Sequence, residues 1–375
     1  TSTDVCRIED GEPVIAQHTE VGGYPCLVPA VSIHTVGAGG GSIAWVDPGG
    51  SLRVGPQSAG AIPGPAGYGR GGQAPTVTDA NIVLGRIDPG AVFGDGVAID
   101  RGKAERAIAE LADQLSMSTV DAALGIVEVV ESHMERAIGT VSVSEGYDAR
   151  AASLVAFGGA GALHAAALST RLDMDSVIVP NHAGVFSAVG LLLSPIRIDV
   201  TVPSLDLDPA EVDSLARRAV AEVEAAFVEA LGTPPRPVEL AAFARYAGQS
   251  HEVTVPIAQH GGIDRLIASF GAEHRQRNGF AREGDPVELV GVRATATAPS
   301  GIEVPAPHAD LPAKRRRTVH TGERFEDVDV HSRAGLEPGS AIPGPAVVED
   351  GGSTIWVPPG YTATVRSGGE LELRR

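Results

Sequence analysis

The amino-acid sequence predicts an α/β fold in its first half, followed by a smaller, strand-rich α+β region. Three observations support this prediction. An apolar strand at 154–157 runs into a glycine turn and a helix at 162–171, which is a typical α/β unit. Two helical patterns occupy 100–143, and alternating strand patterns dominate from residue 235 onward. The length of 375 residues is sufficient for two domains.

The first four residues combine hydroxyl groups with a carboxylate: Thr1, Ser2, Thr3 and Asp4. They open a predicted β-hairpin over 1–16, in which Asp10-Gly11 is a common turn pair. Phosphoryl transfer needs a metal and neutralised charge more than covalent chemistry, so Asp4 is the first catalytic candidate and the candidate metal ligand. Its carboxylate could hold magnesium or orient a water. Alternatively, it closes the hairpin through an Asx-type bond.

The segment from Gly37 to Gly85 is unusual because glycines, prolines and small residues crowd together in it. Glycine loses more conformational entropy on ordering than any other residue, so this density implies positive φ angles or close approach of a ligand to the backbone. A set of surface turns is the alternative. We expect a strand at 42–46 and a hairpin turn at 47–50, with loops continuing to about Pro75.

Two further catalytic candidates flank this glycine-rich segment. Asp79 lies between Thr78 and Asn81 in a small polar cluster, where it could position a substrate amide or bond the glycine loops together. His34 directly precedes the first glycine loop. It could be a metal ligand, a proton donor to a leaving nitrogen, or a strand histidine bonded to backbone.

Helical patterning predicts two consecutive helices at 100–115 and 118–143, the second capped by Ser118 or Thr119. The glycine turn at 158–161 then lies between a strand and a helix. Such a unit presents backbone donors and a helix N-terminus to a phosphate or purine. Tight packing of the helix against the strand would require the same glycines.

The first domain is expected to end near Asp199, because an acidic, proline-bounded linker follows at 203–209. We therefore place the domains at 1–200 and 201–375. The second is predicted to contain helices at 209–231 and 263–277 and strands at 241–246, 251–256, 287–298, 346–349 and 362–373. The basic run at 315–317 is interpreted as a solvated linker.

The chain is acidic, with 29 basic and 47 acidic residues and a net charge of −18. This charge argues against a nucleic-acid or anionic-membrane partner. An acidic protein that binds a nucleotide must use local backbone N–H groups and a bridging cation. Cys6 and Cys26 fit no usual zinc spacing, and the sequence has neither a long apolar run nor a signal peptide, so we expect a reduced, cytoplasmic protein.

Six passages of the sequence closely resemble the hydantoinase A and 5-oxoprolinase family. They read HTVGAGGGSIAWVD at 34–47, VGPQSAGAIPGPAGYGRGG at 54–72, PTVTDAN at 75–81, VAFGGAG at 155–161, VIVPNHAGVFSAVGLL at 177–192 and GPAVVEDGGSTIWVPPG at 344–360. The resemblance covers essentially the whole chain. In the family, a TSTD sequence like that of 1–4 belongs to the second phosphate loop of an actin-like and sugar-kinase-like (ribonuclease H-like) ATPase fold.

The resemblance implies that this chain is the second half of such an ATPase core, followed by the smaller C-terminal domain. It also implies a nucleotide site, with ATP and Mg²⁺ or another divalent cation as cofactors. The residues expected to bind the nucleotide are Thr1, Ser2, Thr3, Gly37, Gly39, Gly40, Gly41, Gly158, Gly159 and Gly161. An alternative for Thr1 is a nucleophile activated by its own α-amine, as in self-cleaving amidohydrolases.

The function implied by the resemblance is ATP-dependent hydrolysis of a cyclic amide or imide, as in hydantoin or 5-oxoproline ring opening. The expected partners are the cyclic amide substrate, the N-terminal half with the first phosphate loop, and a hydantoinase B-like subunit. Two alternatives remain: a nucleotide-binding subunit of an ATP-dependent ketone carboxylase, and a non-catalytic half that completes another subunit's cleft. Glu131 and His133 depart from the asparagines common in the family, which would alter specificity if these positions faced the substrate.

Overall fold

The computed structural model describes the chain except for residues 17–18, 22–23, 27–29, 91, 94–95, 236 and 305–313. It forms two compact units. Unit 1 combines Thr1–Val189 with Pro305–Arg375, and unit 2 is Gly190–Val304. The end of the chain thus returns to the unit in which the chain begins.

The α-helices of the described residues are α1 Val77–Val83, α2 Arg101–Leu115, α3 Thr119–Val141, α4 Gly161–Arg171, α5 Phe186–Leu193, α6 Val212–Leu231 and α7 Gly262–Asn278. Local capping explains where two of them begin. The Ser118 hydroxyl accepts a hydrogen bond from the Asp121 N–H at 3.1 Å, which caps α3 as predicted. The Asp100 side chain caps α2 in the same way, accepting from Lys103 N–H.

The strands before residue 100 are short. They are β1 Thr3–Cys6, β2 Ile8–Glu9, β3 Glu12–Pro13, β4 Ile15–Ala16, β5 Thr19–Val21, β6 Tyr24–Cys26, β7 Ala30–Val31, β8 Ile33–Val36, β9 Ser42–Val46, β10 Leu52–Ser58, β11 Val92–Phe93 and β12 Val97–Ala98. The Asp10-Gly11 turn is confirmed between β2 and β3, with positive φ at both residues. However, β1 pairs with β8 and not with the strand after this turn.

The later strands are β13 Ser153–Val155, β14 Ser176–Val179, β15 Ile196–Pro203, β16 Val238–Tyr246, β17 Val253–Pro256, β18 Val287–Ala298, β19 Lys314–His320, β20 Phe325–Ser332, β21 Ala341–Pro343, β22 Ala346–Asp350, β23 Ser353–Val357, β24 Thr362–Val365 and β25 Leu371–Arg374. In unit 1 they form a sheet in the order β13-β14-β25-β24-β21 and a second sheet β19-β20-β22-β23. Helix α4 packs its buried alanines against the first sheet.

The helical core of unit 1 lies between α1, α2, α3 and the β9–β10 hairpin. The buried side chains of α3 recur every three or four residues, among them Ala123, Ile126, Val130 and Met134. This periodicity confirms the predicted apolar stripe. The prediction of loops up to Pro75 is wrong over β10, which extends the predicted hairpin by pairing with β9.

Unit 2 is an α+β unit in which the antiparallel sheet β15-β18-β16-β17 packs against α6 and α7. Its core contains Leu215, Val223 and Phe227 of α6, all buried. Each such fully buried side chain contributes about 1.5–3 kcal/mol to stability relative to exposure. Gly232, with φ +73°, ends α6 in the left-handed conformation that glycine adopts most easily.

The predicted boundary at 200 differs from this division because residues 201–375 do not form one unit. Residues 305–375 belong to unit 1, since β25 pairs with β14 and β20 packs in the core of α1–α3. Such long-range pairing has no local signature in the sequence.

The interpretation of 315–317 as a solvated linker is wrong. Arg315 and Arg317 lie on β19, and both contact Glu349 of β22. Arg315 also contacts Asp88 at 2.6 Å. Alternate residues of a strand point to the same face, so these two arginines face the carboxylates while Arg316 is largely exposed.

Candidate functional site

The β1–β8 ribbon carries the first candidate residues. Its register pairs Asp4 with Thr35 and Thr3 with Val36. The Thr35 hydroxyl donates to Asp4 Oδ1 at 2.6 Å, and Asp4 is exposed. The Thr3 hydroxyl donates to the carbonyl oxygen of Ala38 at 2.6 Å. These bonds tie the start of the chain to the glycine loop at 37–41.

The glycine loop is packed too closely for side chains. A Cβ on Gly39 would lie 3.0 Å from the Thr1 nitrogen, and a Cβ on Gly40 would lie 2.9 Å from Thr78 Oγ1 and 3.4 Å from the Cβ of Ala160. The structure therefore brings together three predicted nucleotide-binding segments: Thr1–Asp4, the glycine loop and the 158–161 turn. Part of the glycine requirement comes from contacts between protein segments.

The turn at 158–161 is more open. A Cβ added to Gly158 or Gly161 would meet no atom within 4 Å, and one on Gly159 would touch only the Gly352 carbonyl oxygen, at 3.6 Å. Gly158 adopts φ +87°, and its N–H donates to the Ala183 carbonyl at 2.7 Å. The glycines around the start of α4 thus border open space, and the first N–H groups of a helix, which have no partner within the helix, can bind an anion.

An aromatic pair borders this turn. Phe157, which is 43% exposed, lies with its ring centroid 5.2 Å from that of Phe186. Val185, also exposed, lies next to Phe186 in the chain. An exposed apolar surface beside a helix N-terminus is suited to a flat ring attached to an anionic group.

Asp79 is fully buried at the start of α1. Its carboxylate accepts hydrogen bonds from the N–H groups of Gly67 (2.7 Å), Ala66 (3.2 Å) and Thr76 (2.9 Å) and from the Thr76 hydroxyl (2.7 Å). Burial raises the pKa of this carboxyl, and the hydrogen bonds from Thr76 and Gly67 oppose that rise. These contacts favour the role of bonding the glycine loops together.

We expect Asp79→Asn to destabilise the protein by about 2–4 kcal/mol, because an amide group would face buried N–H donors and leave one unsatisfied. Urea unfolding would measure this loss. Asp121→Asn is the matched control, since Asp121 holds the same helical position in α3 but is exposed. Equal stability of both variants, with activity lost only in Asp79→Asn, would instead indicate a direct catalytic role.

His34 lies on the opposite face of the ribbon from Asp4. Facing residues of an antiparallel pair share one face and successive residues alternate, so His34 and Val5 lie on one side while Asp4 and Thr35 lie on the other. The structure therefore does not bring His34 and Asp4 into one site. The strand period of two reveals this separation only once the register of β1 against β8 is known.

His34 instead lines a cavity of ≈ 500 Å³ between β8, the β9–β10 hairpin and α3. We call this the His34 cavity. Its polar lining residues are His34, Trp45, Arg53, His133, Arg136 and Thr140. The pKa of His133 is lowered by burial and by the positive charges of Arg136 and Arg53.

The sequence interpretation missed both arginines of this cavity. Arg136 follows His133 by three residues, which places the two side chains on one face of α3. That spacing was the available signal. Arg53 had no comparable sequence signal, because its position in the cavity depends on the pairing of β10 with β9.

Two further observations concern metals and buried charge. Among the described residues, no three His, Cys, Asp or Glu side chains cluster as a metal cage. Mg²⁺ in phosphate sites commonly takes only one or two carboxylates together with substrate phosphates, so the exposed Asp4 fits that role. His164 is fully buried with its Nδ1 3.1 Å from Glu131 Oε1.

The protein has a mixed α/β fold. Its glycine loop packs between β1, which carries the exposed carboxylate of Asp4, and the open N-terminal turn of α4. Residues 1–200 match the family model described as hydantoinase/oxoprolinase, and residues 287–374 match the hydantoinase/oxoprolinase C-terminal domain. The chain belongs to the hydantoinase/oxoprolinase family, which confirms the resemblance.

Known relatives include both hydrolases and a carboxylase. Caprolactamase subunit alpha of Pseudomonas jessenii is 32% identical over 398 residues, covering 100% of this chain and 57% of that protein. The 5-oxoprolinase of Saccharomyces cerevisiae is 28% identical over 396 residues, covering 97% and 31% respectively. A nucleotide-free structure of acetone carboxylase, from work on ATP-dependent acetone carboxylation, matches with a TM-score of 0.85 at 26% identity, over 100% of this chain and 57% of that one.

These matches also show how much of its relatives' length the chain spans. It covers 57% of the length of the caprolactamase subunit and a smaller share of the 5-oxoprolinase. In the part of the chain that the structure describes, no helix is long and apolar enough to cross a membrane.

Proposed function

We propose that this chain is part of an ATP-dependent cyclic amidohydrolase of the hydantoinase and 5-oxoprolinase type, and that 1–200 is the second half of an actin-like ATPase core. One observation carries the proposal: Thr1–Asp4, the glycine loop at 37–41 and the turn at 158–161 meet around the glycine loop. These are the segments that we propose a bound nucleotide contacts.

Each segment offers a different group to the nucleotide. The turn at 158–161 offers N–H groups at the start of α4, and the aromatic pair beside it offers a surface for the base. Thr1 and Ser2, both exposed, lie beside the glycine loop, and their hydroxyls can donate to phosphate oxygens. Local donors of this kind are necessary because the net charge of −18 repels phosphate overall.

Asp4 is the residue proposed to act in the chemical step. Transfer of the γ-phosphoryl group of ATP to the amide oxygen would release ADP and activate the carbonyl carbon for addition of water. Breakage of the ring C–N bond, with the nitrogen leaving protonated, would then give an acyl phosphate, whose hydrolysis would release phosphate and the ring-opened acid. Asp4 would hold Mg²⁺ against the phosphates or orient the attacking water, and the Thr35 hydroxyl fixes the carboxylate for that task. His34 takes no part in this step because it lies on the other face of the ribbon.

The remainder of the site is proposed to lie outside this chain. We place the first phosphate loop in an N-terminal half and expect a hydantoinase B-like subunit as the partner. The designation of the caprolactamase relative as a subunit alpha agrees with such an assembly.

ATP hydrolysis by the complete enzyme tests the proposal. We expect stimulation by a cyclic amide when 5-oxoproline, hydantoin, caprolactam and acetone are compared, each with and without bicarbonate. Stimulation by acetone only in the presence of bicarbonate would contradict the hydrolase assignment. It would support the second candidate, a ketone carboxylase subunit, which the structural match to acetone carboxylase favours.

Calorimetry of the isolated chain with ATP and Mg²⁺ tests the division of the site. Binding is expected to be weak or absent, because the first phosphate loop would be missing. Tight binding would contradict the proposal that another segment completes the site. Absence of binding even in the complete assembly would contradict ATP as the cofactor.

A further inference from the structure

We propose that the His34 cavity is a binding site for a small oxyanion, such as a carboxylate or phosphate, separate from the nucleotide site. The cavity has a volume of ≈ 500 Å³ and lies between β8, the β9–β10 hairpin and α3. This inference does not rest on the proposed function.

The lining of the cavity is cationic although the protein is strongly acidic. Arg53, Arg136, His34 and His133 all line it, and no aspartate or glutamate of the described residues does. A chain with 47 acidic and 29 basic residues would ordinarily place carboxylates beside such a group of cations. Two guanidinium groups and two imidazoles around one cavity supply the kind of hydrogen-bond donors that an oxyanion needs.

The two arginines retain donors for a ligand. The Nε of Arg53 pairs with Asp47 Oδ2 at 2.8 Å. Its two terminal nitrogens make no hydrogen bond or ion pair with the described residues. Arg136 has no ion pair within the described part of the chain. By contrast, Arg171 at the end of α4 contacts Glu128, Glu131 and Glu135. On α3, the arginine without an ion pair thus lies on the side that faces the cavity, whereas three glutamates of the same helix are paired with Arg171.

The electrostatics of His133 agree with this arrangement. Its pKa is lowered by burial and by Arg136 and Arg53, so the positive potential of both arginines reaches the imidazole. His34 faces the same cavity from β8, and Asp47 contacts Arg53 only from the hairpin turn. A bound anion would offset these positive charges and raise the pKa of His133.

The site is distinct from the proposed nucleotide site. His34 lies on the face of the ribbon opposite Asp4, and neither Thr1–Asp4 nor the 158–161 turn lines the cavity. Gly37 is the point at which the cavity borders the glycine loop. Gly37 is therefore an expected nucleotide-binding residue that the cavity shares, but an anion held there would lie away from the donors of Thr1–Asp4 and of the 158–161 turn.

Tryptophan fluorescence provides a direct test because the two tryptophans differ in exposure. Trp45 lines the cavity and is 39% exposed, whereas Trp356 is 4% exposed. Titration with inorganic phosphate and, separately, with acetate is expected to give a saturable change of Trp45 fluorescence. The ratio of the two affinities distinguishes a tetrahedral from a planar anion as the natural ligand.

Arg136→Gln should weaken binding of the preferred anion roughly tenfold, the effect of one lost charge-assisted hydrogen bond. The matched control is Arg106→Gln, an exposed helical arginine of α2 outside the cavity, which should bind like the parent protein. Arg53→Gln provides a second variant. Proton NMR should also show the pKa of His133 rising when the anion binds.

Three results would overturn the inference. The first is the absence of a saturable signal with either anion. The second is equal affinity in Arg136→Gln, Arg53→Gln and the parent protein. The third is displacement of the anion by AMP or ATP in competition, because the cavity would then be a part of the nucleotide site. Failure of ATP hydrolysis alone would affect only the proposed function.

Discussion

Replacing Asp4 with asparagine is expected to lower ATP-dependent turnover of the complete enzyme by roughly 100-fold to 1,000-fold, the usual cost of removing a charge-stabilising group from a catalytic site. The fold should be unaffected. Asp4 is exposed, and asparagine Oδ1 can still accept the hydrogen bond from the Thr35 hydroxyl. What the substitution removes is the negative charge that would hold Mg²⁺ or orient water.

Turnover and thermal unfolding of the same preparations separate these effects. Asp113→Asn, which changes an exposed carboxylate on α2, should match the parent enzyme in both measurements. Thr35→Val should reduce turnover less than Asp4→Asn, because the carboxylate remains but loses its orienting bond. Normal turnover of a folded Asp4→Asn enzyme would remove Asp4 from the mechanism.

The features that the sequence predicted well are local. The Asp10-Gly11 turn, the Ser118 cap and the apolar stripe of α3 depend on residues within a few positions of one another. Their physical causes, namely positive φ, unsatisfied helix N–H groups and the helical period, act over the same short range. The strand and helix patterns likewise predicted an α+β region at 201–375, and unit 2 at 190–304 has that character.

The features that were missed depend on distant partners. Arg315 and Arg317 appear as a charged linker until β19 is seen beside Glu349. The return of β25 to β14 spans nearly 200 residues, and nothing near either strand indicates it. Burial of a charge can be predicted only when its counter-charge is known, because the desolvation cost is otherwise prohibitive.

The candidate site contains both features that the sequence predicted and features that only the structure revealed. The family motifs predicted that the glycine loop and the 158–161 turn contribute to one nucleotide site, which stays a prediction. The structure places the two segments close together, since a Cβ on Gly40 would lie 3.4 Å from the Cβ of Ala160. The role of Asp79 could be judged only from the structure, because the same local sequence is compatible with a buried carboxylate that bonds the loops together and with one that positions a substrate. His34 required the register of β1 against β8.

We also expect a large loss of stability when Gly55, which packs against the glycine loop, is replaced by alanine. This residue adopts φ +72° on β10, and a Cβ there would overlap the carbonyl oxygen of Gly37. Gly55→Ala therefore combines left-handed strain of about 1–2 kcal/mol with a steric overlap of about 1–3 kcal/mol. We expect a total loss of about 2–5 kcal/mol in the free energy of unfolding, measured by urea denaturation.

Gly50→Ala isolates the steric part of this effect. Gly50, in the turn before β10, adopts φ +83°, but a Cβ there would meet no atom within 4 Å. The free energy of unfolding lost in Gly50→Ala should therefore be limited to the left-handed strain of about 1–2 kcal/mol. The excess loss in Gly55→Ala then measures how rigidly the Gly37 carbonyl is held. If both variants lose the same free energy, the glycine loop yields at little cost, and the close packing on which the proposed nucleotide site depends is not enforced in solution.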